Sequence, residues 1–375
     1  MANLFDYLEW RGDLSFEEDS LNKIDLLLLS HLTYSIFDNL ITEDFSHLVT
    51  LSKLAKDFKL LPDFKERINI GYLINKRTTE LMFKCAKTRR FKNLKLCGYK
   101  TIFDEKNEEQ FAALTFVAGD IIIICFRGTD DTFVGWKEDF NMSFMEEIPA
   151  QKDAATYLEQ AAKALKGRLI IAGHSKGANL AVYAAVKADA LQKRIDAVYN
   201  FDGPGFSEAF LEKPSYKKIE QKIHSYYPEF SVVGMVFHHP EHYEIVKSDG
   251  FAFWQHDGLT WQLKGKAFEN TRQFNEKSRF FNDAFNSWIE KLSIGQKKQF
   301  VNALFSLFEA SGVKTNNELE KNIIPATAKM IAAYASFSKA ERREIHKILS
   351  LFKEVIYADF PLFKLMGITG GKNAE

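Results

Sequence analysis

The residues with the clearest chemical potential lie in "RLIIAGHSKGANLAVYAA", Arg168 to Ala185, where Ser175 stands between Gly173 and Gly177. A serine hydroxyl is a poor nucleophile. It becomes an effective one when a base takes its proton, a third group orients that base, and donors receive the oxyanion. "LIIA" is a continuous apolar run bounded by glycines and predicts a short buried strand, while Ala178 to Val186 is rich in Ala and Leu and predicts a helix. Ser175 then occupies a sharp turn between them, and the glycine on either side, lacking a Cβ, lets strand and helix pack closely. The pattern G-x-S-x-G in that context is the nucleophile elbow. A phosphate-loop reading fails on spacing, because Lys176 precedes the second glycine.

The partners of Ser175 are sought in the order that a strand-and-helix sheet imposes. His174, next to the nucleophile, is expected to point away from it and pack. His238, His239 and His242 in "FHHPEH" have the side chains of metal ligands, but Pro240 interrupts the helical pairing such a site needs, and no metal is expected. His256, in "SDGFAFWQHDGLTW", follows the strand-like "HYEIVKS" and is the last histidine before an all-helical region, so it is the expected base. For the acid, Asp202 ends the strand "IDAVYNF" and is favoured, with Glu229 after the next strand as the alternative. Asp249 and Asp257 are further options; the second adjoins His256 and is poorly placed to accept its Nδ1–H. The oxyanion donors are expected to be the backbone N–H groups of Lys176 and of Thr129, where the strand "IIIICF" turns through Gly128 and Thr129. Phe201, Phe206, Trp254 and Trp261 would suit an acyl chain near the site.

These residues need a scaffold, and the chain is long enough for one: 375 residues, 46% apolar and 27% charged. Lys plus Arg and Asp plus Glu balance at 50 each, so nothing global points to nucleic acid. The acidic N-terminus is not a secretory signal, and no run is apolar enough to span a bilayer. Cys85, Cys97 and Cys125 are odd in number without C-x-x-C spacing, which suits a reducing, cytoplasmic setting. The 34 phenylalanines are expected to fill core.

Residues 20 to 90 read as mostly helical, with Leu21, Ile24, Leu28 and Leu32 on one face. "FAALTFVAGDIIIICFRGT" reads as two strands around a hairpin or tight turn at Gly119-Asp120, and "DAATYLEQAAKALK" as a helix. "KIHSYYP" adds a strand after "IDAVYNF". The alternation predicts an α/β fold with a mostly parallel sheet and helices on both faces. From about residue 266 the pattern is helical only. Ser293 with Gln296, Thr315 with Glu318 and Ser338 with Glu341 form three capping boxes, each opening a helix, and Ile345, Ile348, Phe352 and Val355 recur at helical spacing. The expected division is a catalytic unit over 1–265, its first 100 residues largely helical, and a C-terminal helical domain or cap over 266–375.

Phe126-Arg127-Gly128-Thr129, followed by Trp136 and Asp139, resembles the oxyanion strand of the class 3 lipases, and the GHSxG elbow fits the same family. In that family's pattern an aspartate falls near the position of Ser231. The arrangement is also similar to the Mbeg1-like proteins of the α/β-hydrolase superfamily, through "NFDGPGF", "SVVGM", "WQHDGLTW" and "GHSKGANLAVYAA", over residues 20 to about 265. The resemblance implies an α/β-hydrolase-like fold with a lipase-like triad, and Asp202 and His256 both fall inside its motifs. The expectation is a serine esterase or lipase acting on a small-molecule or lipid acyl ester without a cofactor. The alternative is a non-catalytic protein of the same fold that binds a ligand or partner.

Overall fold

A computed structural model describes residues 1–69, 71, 76–240 and 242–359, with side chains in the last helix described through residue 351. The lead-in carries α1 (Leu4–Arg11), α2 (Lys23–Leu32), β1 (Val49–Thr50), α3 (Leu51–Lys59), α4 (Phe64–Arg67) and α5 (Arg77–Cys85). The central part runs β2 (Lys95–Asp104), β3 (Glu109–Ala118), β4 (Ile121–Phe126), α6 (Phe133–Asn141), α7 (Pro149–Ala164), β5 (Arg168–His174), α8 (Lys176–Lys187), β6 (Ile195–Phe201), α9 (Glu208–Leu211), α10 (Pro214–Ile219), β7 (Ile223–Pro228) and β8 (Glu244–Val246). Three two-residue strands follow: β9 (Leu263–Lys264), β10 (Ala267–Phe268) and β11 (Asn270–Thr271). The described residues end with α11 (Glu276–Lys291), α12 (Ile294–Ser311), α13 (Asn316–Lys321), α14 (Ile323–Ser336) and α15 (Lys339–Asp359). Among the described residues no helix is long and apolar enough to cross a membrane.

Among the described residues nine strands form one sheet in the order β1-β2-β3-β4-β5-β6-β7-β8-β11. Pairings from β4 to β8 are parallel, whereas β1 to β4 and the β8–β11 edge are antiparallel, so the sheet is mixed rather than mostly parallel. The reason is local. Gly119, at φ 62°, allows a two-residue hairpin turn that returns β4 alongside β3 with no crossover.

The parallel strands lie side by side in chain order, and right-handed crossovers between strands added in one direction place their helices on one face. Helices α7, α8 and α10 accordingly share a core with Ile122, Ile124, Leu169, Ile171 and Val198. The opposite face is covered by the lead-in helices, with Leu28, Leu32, Phe58 and Leu81 packed against Leu114, Ile123 and Cys125. Helix α2 is buried from Ile24 to Leu32 on every side rather than along one stripe. It starts at a full capping box from Asn22 and Asp25.

Helix α7 begins at Pro149, whose fixed φ suits the first helical position, four residues before the expected start. Cys85, Cys97 and Cys125 are all buried thiols. In the C-terminal region Ser293 and Gln296 form their reciprocal box, as do Ser338 and Glu341, while Thr315 caps Glu318 N–H and Glu318 turns to Lys314 N–H instead. Ile345 and Ile348 are buried; Phe352 and Val355 lie outside the described side chains.

Candidate active site

Three neighbouring strands end at the same level of the sheet. Phe126 pairs with Gly173 and His174 with Phe201, so Gly128-Thr129, Ser175 and Asp202 emerge side by side at the carboxyl edge. Ser175 has φ 59° and ψ −136°, a left-handed geometry that a non-glycine residue adopts at a cost. Its N–H donates to Phe201 O at 3.0 Å, holding the elbow to the next strand. The flanking glycines are required: a Cβ on Gly173 would lie 2.1 Å from Gly177 O, and one on Gly177 would lie 2.1 Å from Phe126 O.

Asp202 also has positive φ, 52°, and is fully buried. His256 ends a short 3-10 turn, Ala252–His256, fixed by Trp261 Nε1–H donating to Gln255 O and by Phe230 N–H donating to Gln255 Oε1. That turn brings His256 Nδ1 to 2.6 Å from Asp202 Oδ2. The other oxygen, Oδ1, accepts from Ser231 Oγ–H at 2.6 Å. Ser231, where the class 3 pattern has an aspartate, thus bonds to the carboxylate that stands one strand earlier. Glu229 makes no hydrogen bond to His256 among the described residues. Asp249 accepts from Gln262 and Asp257 caps Leu259 N–H.

Ser175, Thr129 and His256 line one cavity of about 100 Å³, together with Asp139, Tyr34, His174 and Trp254. Among the described residues no hydrogen bond yet joins Ser175 Oγ to the imidazole; such contacts tighten when substrate binds. Lys176 is the first residue of α8, where N–H groups have no acceptor within the helix. Thr129 is fixed through its side chain, whose Oγ1–H donates to Asp139 Oδ2 at 2.5 Å. Burial pushes the Asp139 carboxyl up to about 6.

Three features were not visible in the sequence. First, the Lys176 side chain is 1% exposed and its ammonium meets Glu138 Oε2 at 2.8 Å and Gln110 O at 2.8 Å. Glu138, fully buried, also accepts from the N–H groups of Gln110 and Ala150, so one ion pair ties the elbow to β3, α6 and α7. Second, His174 packs against His256: its ring lies, tilted by about 35°, between those of His31 and His256 with centroids 4.7 Å from each. His174 Nε2 lies 2.7 Å from His256 O, which only accepts, so Nε2 carries the proton and Nδ1 accepts from Tyr34 O–H at 3.0 Å. Third, Tyr34 O–H bridges to the oxyanion loop, where a Cβ on Gly128 would sit 2.2 Å from it. Burial holds His174 well below its ordinary pKa and His31 down to about 4, so both stay neutral. A hint existed in "HLTYS", which puts His31 and Tyr34 one helical turn apart.

The remaining candidates are dispersed. His239 rests against Tyr227 and His238 faces Glu290 at 3.8 Å. Among the described residues no cluster of three or more His, Cys, Asp or Glu could hold a metal ion. Of the aromatics expected near the site, Trp254 lines the cavity, Phe201 and Trp261 belong to the core, and Phe206 borders a separate cavity.

The crystal structure of M37 lipase is similar to 56% of this chain and 69% of its own, with 15% identity and a TM-score of 0.35. No curated protein matches the chain. The model of the Mbeg1-like family matches residues 85–306, from the end of α5 through most of α12. That span is more than half of the sequence and contains the elbow, Asp202 and His256, and the chain belongs to the Mbeg1-like family.

Proposed function

We propose that the protein is a serine hydrolase that cleaves a carboxylic ester through an acyl-enzyme. The observation that supports this best is the 2.6 Å bond from His256 Nδ1–H to the buried Asp202 carboxylate, in a cavity that also holds the strained Ser175. Ser175 Oγ attacks the ester carbonyl while His256 Nε2 takes its proton, and Asp202 holds the Nδ1–H tautomer and stabilises the imidazolium. The tetrahedral oxyanion lies against the N–H groups of Thr129 and Lys176. Collapse breaks the ester C–O bond, with His256 returning the proton to the departing alkoxide. Water, deprotonated by the same imidazole, then adds to the acyl carbonyl, and the carboxylic acid leaves as Ser175 recovers its proton.

The test is labelling by a fluorophosphonate, followed by peptide mapping. Wild type is expected to label at Ser175, and Ser175→Ala and His256→Ala to lose labelling. On any ester that the parent turns over, each variant is expected to lose about 10⁶-fold in kcat, because triad members act as a unit. A well-folded wild type that neither labels nor hydrolyses esters supports the alternative of a binding protein on the same fold.

A further inference from the structure

The nucleophile borders two cavities. The second, of about 230 Å³, is lined by Ser175 and Lys176 at one end and is otherwise almost wholly apolar, with Val233, Phe253, Phe281, Phe285 and Ile289 among its walls. It shares Val233 and Phe253 with the cavity that holds His256. At its other end it shares Met142, Phe237 and Ile289 with a third cavity of about 400 Å³, whose rim carries Glu146, Glu290 and Lys297. The three therefore form a sequence from Ser175, past Phe281 and Phe285, to Ile289 and a polar mouth.

The far wall is α11, and its seating is specific. Ser278, Asn282 and Asn286 recur every four residues, and this stripe bonds the loop that follows β7. Ser278 Oγ–H and Asn282 Nδ2–H both donate to Ser231 O, at 2.6 and 2.7 Å. Asn286 Nδ2–H donates to Met235 O, and its Oδ1 accepts from Phe237 N–H, each at 2.9 Å. The adjacent stripe, Phe281, Phe285 and Ile289, also recurs every four residues and faces the channel. Two turns of helix separate its ends, about 12 Å at the helical rise. The bonded loop contains Ser231, the partner of Asp202, so the helix that walls the channel is fastened to the triad.

We propose that the acyl group of the ester is a long unbranched alkyl chain lying along α11, with its terminal methyl towards Ile289, and that the C-terminal helical region is the part of the protein that selects chain length. This rests on the acyl-enzyme reading. An extended hydrocarbon fits the channel because, among the described residues, its lining between the elbow and the mouth is apolar except for Trp136, Asp139 and Ser143. The alcohol then leaves through the polar cavity on the His256 side.

The experiment compares p-nitrophenyl butyrate with p-nitrophenyl palmitate on wild type, Ile289→Trp and Phe281→Ser, and measures cis-parinarate fluorescence on Ser175→Ala with and without Ile289→Trp. Phe281 is 40% exposed, so its replacement keeps the fold if the tryptophan variant does not. Wild type is expected to prefer palmitate. Ile289→Trp is expected to lower the palmitate-to-butyrate ratio of kcat/KM at least tenfold, Phe281→Ser severalfold, and the tryptophan to weaken parinarate at least tenfold. An unchanged ratio in both variants, with Ser175 still labelling, overturns the channel and leaves the hydrolase reading standing. If Ser175 does not label, the ester falls, and parinarate decides for the channel alone: binding that Ile289→Trp weakens supports it, and no binding overturns it.

Discussion

The carboxyl edge of the sheet and the helices α12 to α15 use opposite means to hold their side chains. At the edge, charge is buried and most partners are distant in sequence: Lys176 meets Glu138 and Gln110, Asp202 meets Ser231 and His256, and His174 meets Tyr34. In the terminal helices more of the order is local, although α12 packs Phe305 and Phe308 on Phe140 and Phe133. Capping boxes start α12 and α15, and α14 buries only Ala326 while Ile323, Ile324 and Ile331 stand 60%, 81% and 64% exposed. The region that fixes Ser175, Asp202 and His256 uses interactions that are costly to leave half-made. A helix that places no such group can form on propensity and caps. Helix α11 belongs to both kinds, since one stripe bonds the loop after β7 while Trp288 packs on Phe300 and donates to Ile348 O.

The contrast can be broken most sharply at Lys176. Lys176→Met leaves the Glu138 carboxylate buried without its cation and is expected to destabilise the protein by about 3–5 kcal/mol in urea unfolding. The double variant with Glu138→Gln should recover part of that loss; if the single variant unfolds at the wild-type midpoint, the ion pair does not hold the elbow. A smaller effect is expected at His31. Its pKa, held near 4 by burial, lies below that of the unfolded chain, so the unfolded state binds the extra proton. Its contribution is complete above the ordinary histidine pKa and is lost as pH falls towards 4. Relative to His31→Leu, wild type should lose stability at about 1.4 kcal/mol per pH unit across that window. Parallel curves for the two proteins would refute the buried neutral imidazole. The smallest change is predicted on α14, where Ile324→Ser should shift stability by no more than about 0.5 kcal/mol. A larger loss would mean that this face is packed in solution.

What could be read in the sequence follows the same division. The elbow was legible because Gly173, Ser175 and Gly177 report their own geometry within five residues, and the helix starts at Ser293 and Ser338 were legible for the same reason. Asp202 was reachable as the end of a recognisable strand and favoured over Glu229 on that ground; the structure adds its 2.6 Å contact with His256. The hairpin at Gly119-Asp120 was legible from its turn residues, whereas β2 against β3 was not, because apolar runs such as "FAALTFVA" look alike whichever way their other neighbour runs. Ser231 and the buried end of Lys176 carried no local sign, and Tyr34 only its spacing from His31. Their roles arise only when segments far apart in the chain meet, and a serine, a tyrosine or a lysine taken alone is most often a surface residue or core filler.

The three histidine rings also bear on the order in which the protein is made. His31 comes from the lead-in, His174 from the middle and His256 from a loop 82 residues further on. A ribosome therefore has to release the last of these before the cavity around Ser175 can close, and contacts between such distant segments form slowly. Until then the chain has its elbow but neither the His256 imidazole nor the carbonyl that fixes His174. The packing around Ser175 is thereby completed only once synthesis has passed residue 256.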